Sequence, residues 1–415
     1  MFPTAWKTAY LKVILKSPDR DRSAPGSYRP IALLSVIGKI YERIILNRIQ
    51  KAYSDKQLMS RLQYGFRKNC STDDALHDAI SRVRTSESKY VVSLFIDIVG
   101  AFDNLWWPAI KSRLVEAECS TNLLNIINSY FTSRTMIIRS NYNNISKQMQ
   151  KGCPQGSVMG PFAWNWCADR LLSQMETIEN DDIYTIAFAD DLLIIINGNS
   201  RNEIETKANR ALQLITDWCK EHKLTVSINK SKAMLMKGIF HTERLPNIKI
   251  GEQKIKYVNE YKYLGVLLDS KLNFIPHVKK IKERIIKLTN VMKKITNETW
   301  GLKNKVTEIY YKSVYLPIIT YGATVWYDKV NHTHVNRQLK SIQRHLLLIS
   351  TRACRTTSTV AMQVAAHKLP LDLEVTRKGI IHKVRRKRFV EWDTYRYVPP
   401  DDPLLVVDLK QEKKN

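Results

Sequence analysis

Apolar positions come in two kinds of pattern along this chain. Leu94-Phe-Ile-Asp97 and Thr185-Ile-Ala-Phe-Ala-Asp-Asp-Leu-Leu-Ile-Ile-Ile196 are short, nearly continuous apolar runs rich in β-branched residues and without helix caps. Such runs read as buried strands, and the second predicts strand, tight turn, strand with Asp190 and Asp191 at the tip. Helical spacing appears instead in Gly38 to Ile49, where Ile40, Ile44, Ile45 and Ile49 recur, and in Ile275 to Ile295, where Val278, Ile281, Ile285, Leu288, Met292 and Ile295 form a stripe.

The carboxylates inside the strand-like runs need an explanation, because buried negative charge is unfavourable unless a cation shares it. Asp190-Asp191 reads as a metal-binding hairpin or, alternatively, as a polar turn. Two acids without glycine fit a two-residue turn poorly, since both turn positions favour positive φ. Asp97 is a second carboxylate of the same kind. Asp103 is read as the cap of a helix beginning near Trp106 or Pro108. Three acids on adjacent strands suit two Mg²⁺ ions about 3.5 to 4 Å apart, the arrangement of phosphoryl transfer. Mg²⁺ takes hard oxygen ligands and completes its shell with water and substrate phosphates, and Mn²⁺ is expected to substitute.

Charge points to the substrate class. The 415 residues carry 66 Lys plus Arg against 39 Asp plus Glu, a formal charge of +27. A chain this basic is expected to bind nucleic acid with a steep salt dependence. Lys279, Lys280, Arg284 and Lys287 crowd the polar faces of the later helix, either as a phosphate-tracking surface or as a solvated face. Arg385, Arg386, Lys387 and Arg388 form a second cluster, read as nucleic-acid binding, a nuclear-import signal or a solvated helix face. The six cysteines are widely spaced with no Cys-x-x-Cys pair, which suggests a reducing compartment and no structural zinc. No apolar run approaches 18 residues and the N-terminus has no apolar signal core, so neither a membrane span nor secretion is expected. The length suggests two or three subdomains.

Ser27-Tyr-Arg29-Pro-Ile, Gln63-Tyr-Gly-Phe-Arg67, Phe95-Ile-Asp97 with Ala101-Phe102-Asp103, Gly152-Cys-Pro-Gln155-Gly-Ser, Phe188-Ala-Asp190-Asp191, Asn229 with Lys232, and Tyr263-Leu-Gly265-Val follow one another in order. This series resembles the successive motifs of reverse transcriptases. Its wording is most similar to that of non-LTR retrotransposons, and Gly100-Ala-Phe-Asp-Asn-Leu-Trp-Trp-Pro108 resembles the insect type-1 elements that insert into ribosomal DNA.

The resemblance implies an α+β right-hand polymerase. Fingers would occupy 1–90, with 108–150 as fingers or palm connection, and a palm of antiparallel sheet plus helices 91–107 and 151–270. A helical thumb would span 271–335, followed by a basic helical extension over 336–415. Asp97, Asp190 and Asp191 would hold the two Mg²⁺ ions, and Lys232 would protonate the pyrophosphate leaving group. Arg29, with Lys16 as its partner, would clamp the triphosphate of a deoxynucleotide. Phe102 would exclude a ribose 2′-hydroxyl, unless it is plain core packing. Gln155 and Gly156 would lie beside the incoming nucleotide.

The implied partners are an RNA template, a DNA primer or target and deoxynucleoside triphosphates; the residues do not indicate an oligomeric state. The implied activity is target-primed reverse transcription, nuclear when acting on a chromosomal target and otherwise in a cytoplasmic ribonucleoprotein. The endonuclease that nicks the target would belong to the parent polyprotein. The competing expectation is a catalytically inactive, nucleic-acid-binding remnant, against which the intact trio of acids argues. An RNA-copying RNA polymerase would share the paired acids, but Phe102 opposes it.

Overall fold

The computed structural model describes residues 1–52, 59–139, 143–179, 182–240, 245–294, 304–386, 388, 390–392 and 395–397. Ile295 and Lys387, singled out above, lie outside the described residues. The chain divides into two compact units, Met1–Asn259 and Glu260–Asn415.

The first unit contains β1 (Thr8–Leu15), β2 (Tyr28–Leu33), β3 (Tyr90–Asp97), β4 (Thr135–Arg139), β5 (Asn144–Gln148), β6 (Ile183–Phe188), β7 (Asp191–Gly198), β8 (Lys232–Lys237), β9 (Lys249–Ile250), β10 (Gln253–Lys254) and β11 (Lys256–Tyr257). Its helices are α1 (Val36–Ala52), α2 (Thr72–Thr85), α3 (Ala101–Asn104), α4 (Trp107–Glu116), α5 (Thr121–Phe131), α6 (Met159–Ile178) and α7 (Arg201–Glu221). A five-stranded sheet runs in the order β11-β8-β3-β7-β6, and a four-stranded sheet in the order β2-β1-β4-β5.

β3 lies at the centre of the larger sheet, antiparallel to β7 and β8. Every residue from Val91 to Ile96 is buried, so the strand is covered on both faces and reads as a continuous apolar run rather than an alternating one. Burial ends at Asp97, the strand's last residue. The acid that looked misplaced in a core therefore sits at the sheet's open end. α2, α6 and α7 pack on this sheet. α2 starts from a capping box of Ser71 and Asp74, which satisfies two of its otherwise unpaired first-turn donors.

α6 is the most buried helix near the acids, and residues from Met159 to Ile178 fill the core beside Leu94, Ile96, Ile194 and Trp218. Its N-terminal amides are satisfied from a distance: Glu42 Oε2 accepts hydrogen bonds from Val158 N (2.6 Å) and Met159 N (3.1 Å). Burial raises the Glu42 carboxyl above its ordinary range, while those two amides and the Arg134 charge pull it back.

α1 departs from the single stripe expected of it. Ile45 and Ile49 are buried, but Ile40 and Ile44 are 56% and 45% exposed, so the four isoleucines belong to two faces. Positions 40, 44, 45 and 49 span too wide an arc for one contact with the core, and the angular pattern alone could not say which side packs.

In the second unit, β12 (Glu260–Tyr263) and β13 (Val266–Asp269) form a two-stranded hairpin, followed by α8 (Ile275–Lys294). Val278, Ile281, Ile285 and Met292 are buried as the stripe predicted, and Leu288 is half-buried. The helix Thr333–Thr351 packs along α8, and Leu371–Arg385 packs against Thr333–Thr351. No described helix is long and apolar enough to cross a membrane.

Candidate active site

The tip of the β6–β7 hairpin differs from the expected turn. Phe188 pairs with Asp191, so the two turn residues are Ala189 and Asp190, and Asp191 is the first residue of β7. Among them only Ala189 has positive φ, at 58°. That is the φ pattern of a type II′ turn, whose first central position normally carries glycine. The objection to two acids in the turn is thereby removed.

Asp97 pairs directly with Asp191 across β3 and β7. Asp190 sits at the apex between them. Burial is the largest cause raising the Asp190 carboxyl; its own amide opposes the rise, the Asp97 charge adds to it, and Lys230 and Arg29 oppose it again. Asp191 reaches solvent, yet protein packed around it makes burial the leading cause there too, and with the Asp190 and Asp97 charges it raises the carboxyl to about 6. Carboxylates that crowd one another in this way favour either a proton or a shared cation.

Among the described residues no three His, Cys, Asp or Glu side chains gather tightly enough to form a metal site by themselves. The expected trio is thus not a preformed cage. Mg²⁺, however, is commonly held by one or two carboxylates and completed by water and substrate phosphates, so hard, crowded, partly open carboxylates are a fitting donor set.

Two lysines lie close together in sequence on the side of the acids, and their partners differ. A loop after α7 is fastened to the end of β3 by Val99 N to Thr225 O (2.8 Å) and Ser227 N to Asp97 O (2.8 Å). It presents Lys230, whose Nζ lies 3.1 Å from Asp97 Oδ2. Lys232 begins β8 and donates instead to the carbonyl of Asn229. With Lys230 largely exposed, its ion pair contributes at most about 1 kcal/mol.

Of the residues expected at the nucleotide, Arg29 and Gln155-Gly156 come together on β2 and the loop against it, whereas Lys16 turns elsewhere. Arg29 is exposed on β2, opposite Ile14 of β1, and near enough for its charge to act on Asp190. Lys16, just past β1, turns its ammonium to Gly26 O at 2.9 Å. Asp103 lies within α3 and does not cap α4, whose N-cap is Trp106 with proline in the first turn. Asp103 instead accepts from Gln155 Nε2 at 2.9 Å and so orients that side chain. Gln155 O accepts from Ala32 N of β2 at 2.8 Å, and a β-carbon at Gly156 (φ 124°) would fall 2.7 Å from Ala32 O. The loop can approach β2 this closely only with glycine there.

Phe102 is half-buried, with its ring 5.8 Å from Trp164 and 6.1 Å from Phe66. Trp164 in turn donates from Nε1 to Ala189 O at 2.8 Å, so the aromatic on the nucleotide side and the acid turn share one support. Trp164 and Gln63 were not singled out in the sequence, although Gln63 lies inside the quoted motif Gln63-Tyr-Gly.

In the second unit, Lys280, Arg284 and Lys287 line a cleft of about 590 Å³ together with Lys262, His277 and Tyr321. Lys279 is exposed and outside that lining. Arg385 ends the helix Leu371–Arg385 and Arg386 caps it, where cations complement the helix dipole. Arg388 follows, its amide bonded to Lys383 O.

A mostly antiparallel sheet carrying acids on its central strand and on a neighbouring hairpin turn, with an arginine of the second sheet near them, fits a right-hand polymerase fold. Residues 14–268 match the family model "Reverse transcriptase (RNA-dependent DNA polymerase)", and the chain belongs to that family. It is 37% identical over 93% of its length to the "Retrovirus-related Pol polyprotein from type-1 retrotransposable element R1" of Bradysia coprophila, covering 38% of that protein. It is 34% identical over the same share to a "Putative 115 kDa protein" of a type-1 retrotransposable element of Drosophila melanogaster, covering 37% of it. A further relative is the "RNA-directed DNA polymerase from mobile element jockey" of Drosophila melanogaster, 26% identical over 91% of this chain and 40% of that one. The chain thus spans about two fifths of the length of these curated relatives.

Proposed function

We propose that this chain is the RNA-directed DNA polymerase part of a non-LTR retrotransposon protein, copying an RNA template from a DNA primer with deoxynucleoside triphosphates. The observation that carries the reading is the crowding of Asp97, Asp190 and Asp191 at the open end of the sheet, inside the residues matched by the family model. Divalent ions are general to the family; we assign two Mg²⁺, replaceable by Mn²⁺, to these three acids. Bound there, they would supply charge stabilisation to the attacking and leaving oxygens.

This chain's own residues account for the remaining tasks. The primer 3′-hydroxyl gives its proton to water, its oxygen bonds to the α-phosphorus, the bond from that phosphorus to the bridging oxygen breaks, and pyrophosphate leaves. Arg29 offers a planar, always charged fork to the triphosphate, with Lys16 in a supporting role. Phe102 backs the sugar and disfavours a 2′-hydroxyl, while Gln155, oriented by Asp103, and Gly156 border the same space. Lys232 carries the proton for the leaving group in the family-based assignment, whereas Lys230 is the ammonium that meets the acids. The cleft with Lys280, Arg284 and Lys287, the neighbouring Lys279, and Arg385, Arg386, Lys387 and Arg388 provide phosphate contacts. In domain terms we assign fingers, palm, thumb and basic extension to the segments set out above. Target-primed synthesis in the nucleus, with cytoplasmic transit as a ribonucleoprotein, follows from the same reading.

Primer extension on poly(rA) with oligo(dT), in Mg²⁺ and in Mn²⁺, tests the activity. Asp190→Asn should lower incorporation by about 10³-fold or more, the scale of losing a main electrostatic element of a site. Equal incorporation by both proteins would overturn the assignment and favour a binding-only remnant. Comparing Lys230→Ala with Lys232→Ala separates the two lysines: the proton donor should lose about 10²-fold in kcat, the other much less.

A further inference from the structure

Ala189 adopts a positive-φ conformation that an L side chain disfavours. The compensation comes from the segment 60–65, more than a hundred residues earlier. Gln63 is 2% exposed, and its Oε1 accepts from both Ala189 N (2.9 Å) and Gly65 N (2.8 Å). Its Nε2 donates to Ala189 O at 3.3 Å, so one side-chain amide engages both polar main-chain atoms of Ala189. The main chain beside it also clamps Ala187, two residues earlier: Ala187 N donates to Leu62 O and Tyr64 N to Ala187 O, each at 2.8 Å.

Two further contacts fix this clamp in place. A β-carbon at Gly65 would lie 2.2 Å from Ala189 N, so the segment reaches the turn only because residue 65 has no side chain. Asn165 of α6 donates from Nδ2 to Gly65 O at 2.9 Å, which ties the same segment to the helix that carries Trp164. Two glutamine bonds and the Trp164 bond therefore meet at one residue, Ala189, immediately before Asp190.

We propose that Gln63 is a positioning residue for catalysis: its side-chain amide holds Ala189 left-handed and thereby sets where the Asp190 carboxylate points. The proposal rests on the polymerase reading for its consequence in activity, but its geometry stands apart from that reading. Gln63 touches neither substrate nor reacting atoms in this scheme. Trp164 steadies the carbonyl side of Ala189, and Gln63 alone among these partners binds the Ala189 amide.

The test uses the full chain and three variants. Gln63→Met keeps the shape and removes all three bonds, whereas Gln63→Glu, held protonated by burial, keeps the two acceptor contacts and an O–H donor for the third. Gln63→Met should lower kcat for poly(rA)-templated extension about 10- to 100-fold, the range expected when a reacting group is misplaced by about 1 Å, with Gln63→Glu falling less far. The KM for dTTP should stay within about threefold and the Mg²⁺ concentration for half-maximal rate should rise, because orientation of a carboxylate is impaired rather than triphosphate capture. Combining Gln63→Met with Ala189→Gly should recover part of the rate, since glycine takes positive φ without the clamp.

Hydrogen exchange of the peptide spanning 187–192 supplies a readout independent of activity. Exchange faster by about tenfold or more in Gln63→Met, with the β3 amides unchanged, supports the clamp even if the wild-type chain extends no primer, in which case the polymerase reading fails and the clamp stands. Unchanged exchange at the turn in both Gln63 variants would overturn the proposal, as would a kcat loss with no shift in Mg²⁺ dependence and no recovery on Ala189→Gly. If Gln63→Met does not fold, Gln63→Leu carries the same comparison.

Discussion

Two of the hairpins that close on two-residue turns, β12–β13 and β6–β7, reach their backbone geometry by different routes. In β12–β13, Tyr263 pairs with Val266 around Leu264 and Gly265, both with positive φ (43° and 88°), the pattern of a type I′ turn. Glycine at the second position makes that turn visible in the sequence. The Tyr321 hydroxyl donates to Leu264 O at 2.8 Å and supports the one strained residue. In β6–β7, Ala189–Asp190 has no glycine, and its geometry depends on Gln63 and Trp164 from elsewhere in the chain. A turn that carries its own glycine is specified locally; a turn that has to present a carboxylate at its apex is specified by tertiary contacts.

The two hairpins should also respond oppositely to acid, and this is the largest effect by which the contrast can be broken. His277 accepts from Leu267 N of β13 at 3.3 Å, and burial, reinforced by the Lys280 charge, lowers its pKa to about 4. A histidine depressed on folding gives stability that is present above its unfolded pKa of about 6.5 and lost as pH falls through 4. The full loss is about 3 kcal/mol. Asp191, raised to about 6, works the other way in the metal-free protein: its contribution is present below the ordinary carboxylate pKa and lost as pH rises through 6. Hydrogen exchange corrected for intrinsic rates, followed from pH 7 to 4.5, should show the β12–β13 region loosening while the β6–β7 tip tightens. His277→Phe should abolish the first trend. Parallel trends in both hairpins would remove the electrostatic half of the comparison.

The ordered motifs made the family legible, because acids embedded in apolar strand runs are rare without a cation to share them. α8 was legible too, since its stripe faces one packed surface and the periodicity is unambiguous. What remained hidden depended on contacts distant in sequence. Asp190 and Asp191 seemed to share the turn because register cannot be read from a continuous apolar run; pairing Phe188 with Asp191 moved the turn by one residue. Asp103 resembled a helix cap by its position before Trp106-Trp-Pro, yet its carboxylate is engaged by Gln155, 52 residues on. Lys230 and Lys232 are equivalent in composition, and only the loop anchored to Asp97 and Val99 decides which ammonium meets the acid. Gln63 shows the same limit: two of its three bonds end at Ala189, which no local pattern connects to it.

A smaller effect tests the turns themselves by exchanging their residue types. Gly265→Ala places a β-carbon at φ 88° and 2.8 Å from the Tyr321 ring, so both backbone strain and overlap oppose it. The expected loss is about 1 to 3 kcal/mol, read from the urea midpoint of the transition that reports on β12–β13. Ala189→Gly is the reciprocal change and should be nearly silent. Relief of the left-handed alanine is worth about 1 to 2 kcal/mol. Against it stand about 0.5 to 1 kcal/mol for the freer unfolded chain and about 0.8 kcal/mol for the buried methyl that is lost. These nearly cancel, leaving a change within about 1 kcal/mol of zero. A large loss at Ala189 would mean that its methyl, rather than the Gln63 bonds, holds the turn, and the distinction between a locally and a tertiarily specified hairpin would no longer stand.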